Sequence, residues 1–308
     1  MAKKFINMKP IQNEIENISE VADVPISITL LIDNMSDEKL SAHIRNLFMT
    51  SNSNAKVSIN YFDEGYKYAS STDDCVFIVA GISAYAGRLA DEILASGVPV
   101  FTITHNKFEL MTACQNQHHE LSSDDCAELR DFTPKEALRL NDRIGGWICA
   151  VLPNKETAFA RTFNFVAHGV ARDCVMLTTA QNAAIGALPI IPGADFAILT
   201  ANQVKMLIQI AGCYGHDISK DMIKEIGAIL VCAFGFKRFA SGLKKFIPVL
   251  GPVIGGGVAG GGTYALGLAI IEYFDAGGNI DGLSNVVKHA MSGISKVRNS
   301  AVVQNLMK

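Results

Sequence analysis

The stretch "LLIDNMSDEKLSAHIRNLF", residues 30–48, decides how the first half of the chain is read. The apolar run Ile28–Ile32 within Ile26–Ile32 reads as a buried strand, and Glu38–Phe48 has the spacing of an amphipathic helix. A short polar loop joins them. Phosphate-binding loops share this strand–loop–helix order, but their glycines bare backbone N–H groups to the phosphates. Here the frame Gly-x-x-x-x-Gly-Lys-Ser/Thr is filled by Asp33, Glu38, Lys39 and Leu40. Only the lysine is kept. Side chains at 33 and 38 disfavour the positive-φ backbone that glycine permits. Asp33, Asp37 and Glu38 place negative charge where a polyphosphate would lie, at roughly 4 kcal/mol for a like pair 4 Å apart. Leu40 has no magnesium ligand to offer. The acids suit a helix N-terminus instead, with Asp33, Ser36 or Asp37 as cap.

Working outward, strands are expected at Ile26–Ile32, Val57–Phe62, Cys75–Ala80 and Val98–Thr104. Helices are expected at Glu38–Phe48, Ala84–Ala95 and Pro134–Leu140. Alternating strands and helices with continuous apolar strands predict a parallel sheet covered on both faces. Cys114 to Asp131 shows no period and reads as a loop or irregular insertion. After the last of these strands comes "HNKFEL", giving Asn106, Lys107, Phe108 and Glu109. An Asp-x-x-Gly element is not clean, since Asp63 is followed by Gly65, one position early. Lys39, then Asn106–Glu109 about seventy residues on, resemble the order of motifs in an Era-like GTPase domain. Glu109 stands where that family has Asp. The resemblance implies a degenerate P-loop-GTPase-like α/β domain over 1–150. The alternative is an unrelated small α/β domain with coincidental loops.

The composition shifts after about residue 165, where Ala, Gly, Ile and Val dominate and charges thin out. Residues 151–308 read as an all-helical domain. One helical run ends at "PIIPGAD", a second stops at Gly215, and a third opens on an Asp or Ser cap. The tail after Asn279 is a mildly basic amphipathic helix. Two dispersed patterns stand out. The first comprises Pro189, Pro192, Ala194, Asp195, Leu199, Thr200, Gln203, Met206, Tyr214 and Gly215. The second comprises Pro248, Gly251, Thr263, Tyr264, Ala265, Gly267, Ala269, Tyr273 and Phe274. Over about residues 165–276 they resemble a bacterial GTPase-associated domain of unknown function, also found in YcjF-like inner-membrane proteins. The resemblance implies a fold and a context, not an activity.

Phe246–Ile271 holds no charged residue. As one helix it would reach about 39 Å, against a hydrocarbon core of about 30 Å. Eight glycines and two prolines argue against a continuous helix in water, at about 1 and about 3 kcal/mol each. A buried hairpin, a membrane-embedded segment and a peripheral contact all remain open. The expected membrane or partner contacts are Phe246, Ile247, Val249, Leu250, Val253, Ile254, Leu266 and Ile270.

The net charge of −3 disfavours nucleic-acid binding. Seven cysteines without a Cys-x-x-Cys pair suit a reducing compartment. Localisation is expected in the cytoplasm or at the cytoplasmic membrane. Cys114, His118, His119 and Cys126 have irregular spacing, and no metal site is expected. Nor does any catalytic constellation emerge. The leading expectation is a non-catalytic interaction protein without cofactor, a pseudo-GTPase module joined to a hydrophobic helical domain. Its partner would be a protein, a membrane or a second copy of the chain. One alternative is an atypical GTPase that uses Lys39, Asn106, Lys107 and Glu109 with GTP and magnesium. Another is a Gly-rich membrane or pore-like protein.

Overall fold

A computed structural model describes residues 24–69, 72–187, 194–235 and 251–298. Two compact units emerge, one within Val21–Val170 and one from Ala171 onward.

The first unit is an α/β layer structure. Its strands are β1 (Ile26–Asp33), β2 (Ala55–Phe62), β3 (Cys75–Ala80), β4 (Val100–Thr104) and β5 (Cys126–Glu128). They form one sheet in the order β2-β1-β3-β4-β5, and every pairing is parallel. The helices are α1 (Glu38–Leu47), α2 (Tyr85–Ala95), α3 (Lys107–Asn116), α4 (Pro134–Val151) and α5 (Glu156–Thr162). The first turns of α6 (Asn164–Ala187) complete the unit. Chain order reverses between β1 and β3, so right-handed crossovers send α1 and α2 to opposite faces.

Burial explains the apolar runs. All six residues of β3 are buried. Val76, Ile78 and Ala80 face Leu89, Ile93, Leu110 and Cys114 of α2 and α3. On the other face Phe77 and Phe101 pack against Trp147 of α4, and Phe77 also meets Phe48. Each such side chain contributes about 1.5–3 kcal/mol by leaving water. Residues 63–69, which follow β2, form no helix. Tyr66 and Tyr68 pack on the sheet there, and Arg88 donates to the Glu64 and Tyr66 carbonyls at 2.9 and 3.1 Å.

The segment Cys114–Asp131, expected to be a loop, takes in the last turn of a helix and a short strand. α3 runs to Asn116, and β5 adds a fifth strand. α4 is also longer than Pro134–Leu140. Thr133 caps it by accepting from the Glu136 N–H at 3.3 Å, while Glu136 accepts from the Asp131 N–H at 2.8 Å.

In the second unit all described elements are helical: the rest of α6, then α7 (Ala194–Cys213), α8 (Lys220–Gly235), α9 (Gly251–Asp275), a 3-10 turn (Ile280–Gly282) and α10 (Leu283–Arg298). α7 stops at Gly215, whose φ of 76° is left-handed, and Gly277 ends α9 in the same way at 78°. α9 is a single helix despite its glycines. The glycines permit close approach: a Cβ on Gly260 would lie 3.0 Å from the Ala183 Cβ, and one on Gly267 would overlap Val175. Tertiary packing here outweighs propensity. Among the described residues no helix is long and apolar enough to cross a membrane.

Candidate functional site

In open parallel sheets ligands bind beyond the carboxyl ends of the strands, where chain order reverses. That place here is the gap between β1 and β3, and Asp33 fills it. Its side chain is 2 % exposed. One carboxylate oxygen accepts from the Met35 N–H at 2.9 Å. The other accepts from the Gly81 N–H at 3.1 Å and the Ser83 hydroxyl at 2.9 Å. The loop is therefore tied across the crevice to the segment that follows β3. Contact is so close that a Cβ on Gly81 would sit 2.5 Å from the Met35 carbonyl oxygen.

The loop's N–H groups are turned inward. Asn34 donates to the Phe62 carbonyl, Met35 to the Asp33 side chain and Ser36 to the Asp33 carbonyl. Asp37 caps α1 by accepting from the Leu40 N–H at 2.9 Å, and Glu38 complements the dipole in the first turn. Leu40 is buried in the core, whereas Lys39 is exposed on α1. A phosphate cradle needs free N–H groups. Those of Asn34, Met35 and Ser36 already have acceptors.

The second predicted group lies elsewhere on the same sheet end. β3 separates β1 from β4, so the two loops are roughly 10 Å apart. Asn106 is the N-cap of α3, accepting from the Glu109 N–H at 3.3 Å. Glu109 is exposed in the first turn, where the helix dipole favours an acid. Lys107 straps the sheet edge. Its ammonium donates to the Ser123 carbonyl at 2.8 Å, the Ser123 hydroxyl at 2.9 Å and the Cys126 carbonyl at 3.0 Å. All three of its donors are used. A lysine across an edge strand also blocks pairing with a foreign strand. Lys107→Met is expected to destabilise the unit by about 1–2 kcal/mol, because bonds from a charged donor are lost. Urea unfolding followed by the single tryptophan checks this; an unchanged midpoint would remove the strap's role.

The second unit brings its two sequence patterns together. Gln203 on α7 donates to the Thr263 hydroxyl oxygen of α9 at 3.0 Å. Asn182 on α6 donates to the same oxygen at 2.9 Å, and Asn202 donates to the Asn182 carbonyl oxygen at 2.9 Å. Asn182, Gln203 and Thr263 are all fully buried. The Gln203 carbonyl oxygen and the Thr200 hydroxyl are buried without partners in the structure. Nothing in the sequence had singled out Asn182, which sits in the last two turns of α6 beside another carboxamide, Gln181. Three turns further along the same two helices, Tyr214 donates to Asp275 at 2.6 Å and stacks on Phe274 at 5.3 Å.

The expected contact residues divide. Phe246, Ile247, Val249 and Leu250 lie outside the described residues, and Val253 and Ile254 fall in the first turn of α9. Leu266 and Ile270 are core residues, fully buried. They face inward because α9 turns Gly260 and Gly267 toward α6 on the same side. Among the described side chains of α9 the large apolar ones that are exposed are Tyr264 and Leu268, at 37 % and 38 %.

The chemistry of the cysteines is muted. Burial pushes the Cys126 thiol up to about 11 and the Cys75 thiol well above its usual range, so both stay protonated and poorly nucleophilic at neutral pH. Cys114 packs under α2, where a Cβ on Gly87 would lie 2.8 Å from its sulfur. His119 pairs with Asp91 at 2.7 Å. Among the described residues no cluster of His, Cys, Asp and Glu is arranged to hold a metal ion. Compared with protein-family models, curated proteins and solved structures, the chain matches none.

Proposed function

We propose that the chain is a non-catalytic interaction protein. Its α/β unit is a GTPase-like module emptied of nucleotide chemistry, and its helical unit is a separate domain that associates with a partner or a membrane surface. What supports this reading most is Asp33, whose carboxylate takes hydrogen bonds across the crevice a phosphate would need. Asp37 and Glu38 add like charge beside it. The tetrad Asn106–Glu109 serves as a helix cap and an edge strap, roles that need no guanine. Lys39 lies apart from it, across β3. The sequence patterns over about residues 165–276 that resemble GTPase-associated domains favour the same reading.

The test is a titration of the full chain with a fluorescent GTP analogue in the presence of magnesium. No saturable binding is expected up to about 100 μM, a weakness equivalent to less than about 5–6 kcal/mol of binding free energy. Binding in the low micromolar range that Lys39→Ala abolishes would overturn the proposal and make the chain an atypical GTPase.

A further inference from the structure

A depression of about 520 Å³ opens at the sheet edge, between α3 and α4 over β5. Its charge is one-sided. Lys107, Arg130, Arg139 and Arg143 line it against a single carboxylate, Glu128, in a chain whose net charge is −3. Three of the four cations have partners. Lys107 is bound to the β5 edge. Arg130 pairs with Glu128 at 3.2 Å. Arg143 donates to the Ser123 and Asp124 carbonyls at 3.2 and 2.6 Å and pairs with the Asp124 carboxylate at 3.3 Å. Among the described residues Arg139 makes no hydrogen bond or ion pair, and it is exposed. It stands one turn from Arg143 along α4. Beside these charges lie Met111 and Phe108, and Phe108 is 74 % exposed.

Such a wall of cations with an apolar side selects a ligand of the opposite make-up. Arg139 and Arg143 are strung along a helix rather than converging on one point, so an extended anionic chain fits better than a single phosphate group. The edge strand cannot recruit that chain by main-chain pairing. β5 turns the Cys126 carbonyl outward, and Lys107 already occupies it. Recognition must then come from side chains: acids against the arginines, a bulky apolar residue against Phe108 and Met111.

We infer that this groove docks an acidic peptide segment carrying a bulky apolar residue, supplied by a partner protein. The inference rests on reading the α/β unit as an interaction module, and it names the face and the partner's chemistry. Arg139 is the free charge that sets specificity.

The test is selection of short random peptides from a displayed library against the full-length chain, in parallel with Arg139→Glu and Phe108→Ser. Both side chains are exposed, and circular dichroism checks that the variants fold. Enrichment of acidic sequences with an aromatic or large aliphatic residue is expected. Synthetic copies should bind at least tenfold more weakly to either variant and lose affinity as salt rises. No enrichment, enrichment without acidic bias, or peptides indifferent to both variants would overturn it. Displacement of the peptide by inorganic phosphate or pyrophosphate alone would also overturn it, in favour of a small-anion site. The nucleotide titration separates the two readings. If selection fails and GTP still does not bind, the pseudo-GTPase reading stands and only this surface falls.

Discussion

Replacing Asp33 with Ala is expected to destabilise the α/β unit by about 3–5 kcal/mol, a large part of the roughly 5–15 kcal/mol that holds a domain folded. The carboxylate accepts from two backbone N–H groups and one hydroxyl, and its side chain is almost wholly buried. Ala removes both oxygens at once. Water has little room to replace them, because the Met35 backbone presses on Gly81. The buried Gly81 N–H is then left without an acceptor, the most costly way to lose a hydrogen bond. Asp33→Asn tests the origin of the effect. It keeps the shape and one acceptor but turns an NH₂ toward a donor, so its cost should fall between wild type and Ala. Trp147 reports on the same unit, since its ring packs on Phe77 and Phe101. Urea unfolding followed by its fluorescence is therefore a direct measure. A loss below about 1 kcal/mol for Asp33→Ala would show that the crevice is not held shut by this group.

The same residue shows where sequence reading stops. Asp33 was legible as a residue that spoils a phosphate loop and suits a helix start. Its role as an acceptor was not, because Gly81 and Ser83 lie 48 and 50 residues further on. β1, β3 and β4 were legible from their apolar runs, and β2 from the alternation in Val57–Phe62. β5 was not: Cys-Ala-Glu is three residues long and has no alternation. The helix expected at Pro134–Leu140 stopped short of Gly145, a residue of low helix propensity. In the fold that glycine faces Gly169, where a Cβ would come within 2.9 Å of the opposing Cα. The glycines of α9 misled in the same way, since propensity counts their cost in an isolated helix and tertiary packing reverses it. The charge of the β5 groove was equally invisible. Its cations come from α3, the end of β5 and α4, and only the sheet edge gathers them.

Thr263→Val should cost the helical unit about 2–4 kcal/mol, from two buried amide donors deprived of their acceptor. Valine matches threonine in shape, so no cavity contributes. The Thr263 oxygen accepts from Asn182 and Gln203, which come from two other helices and are themselves fully buried. It is a point where α6, α7 and α9 are joined by polar contact in a largely apolar interior. Burying so many polar atoms is a weak way to gain stability, yet breaking one link of a buried network is expensive. The double variant Asn182→Leu with Thr263→Val separates these effects. If the cost arises from orphaned donors, removing one donor as well should recover part of it, giving a non-additive cycle. If the network mainly fixes how the helices register, the double variant should recover stability while hydrogen exchange along α6 and α9 becomes faster. Helical circular dichroism during thermal unfolding measures the first quantity, and exchange monitored by mass spectrometry measures the second. Strict additivity, together with a cost for Thr263→Val below about 1 kcal/mol, would show that the junction is already open to water and has no part in holding the three helices together.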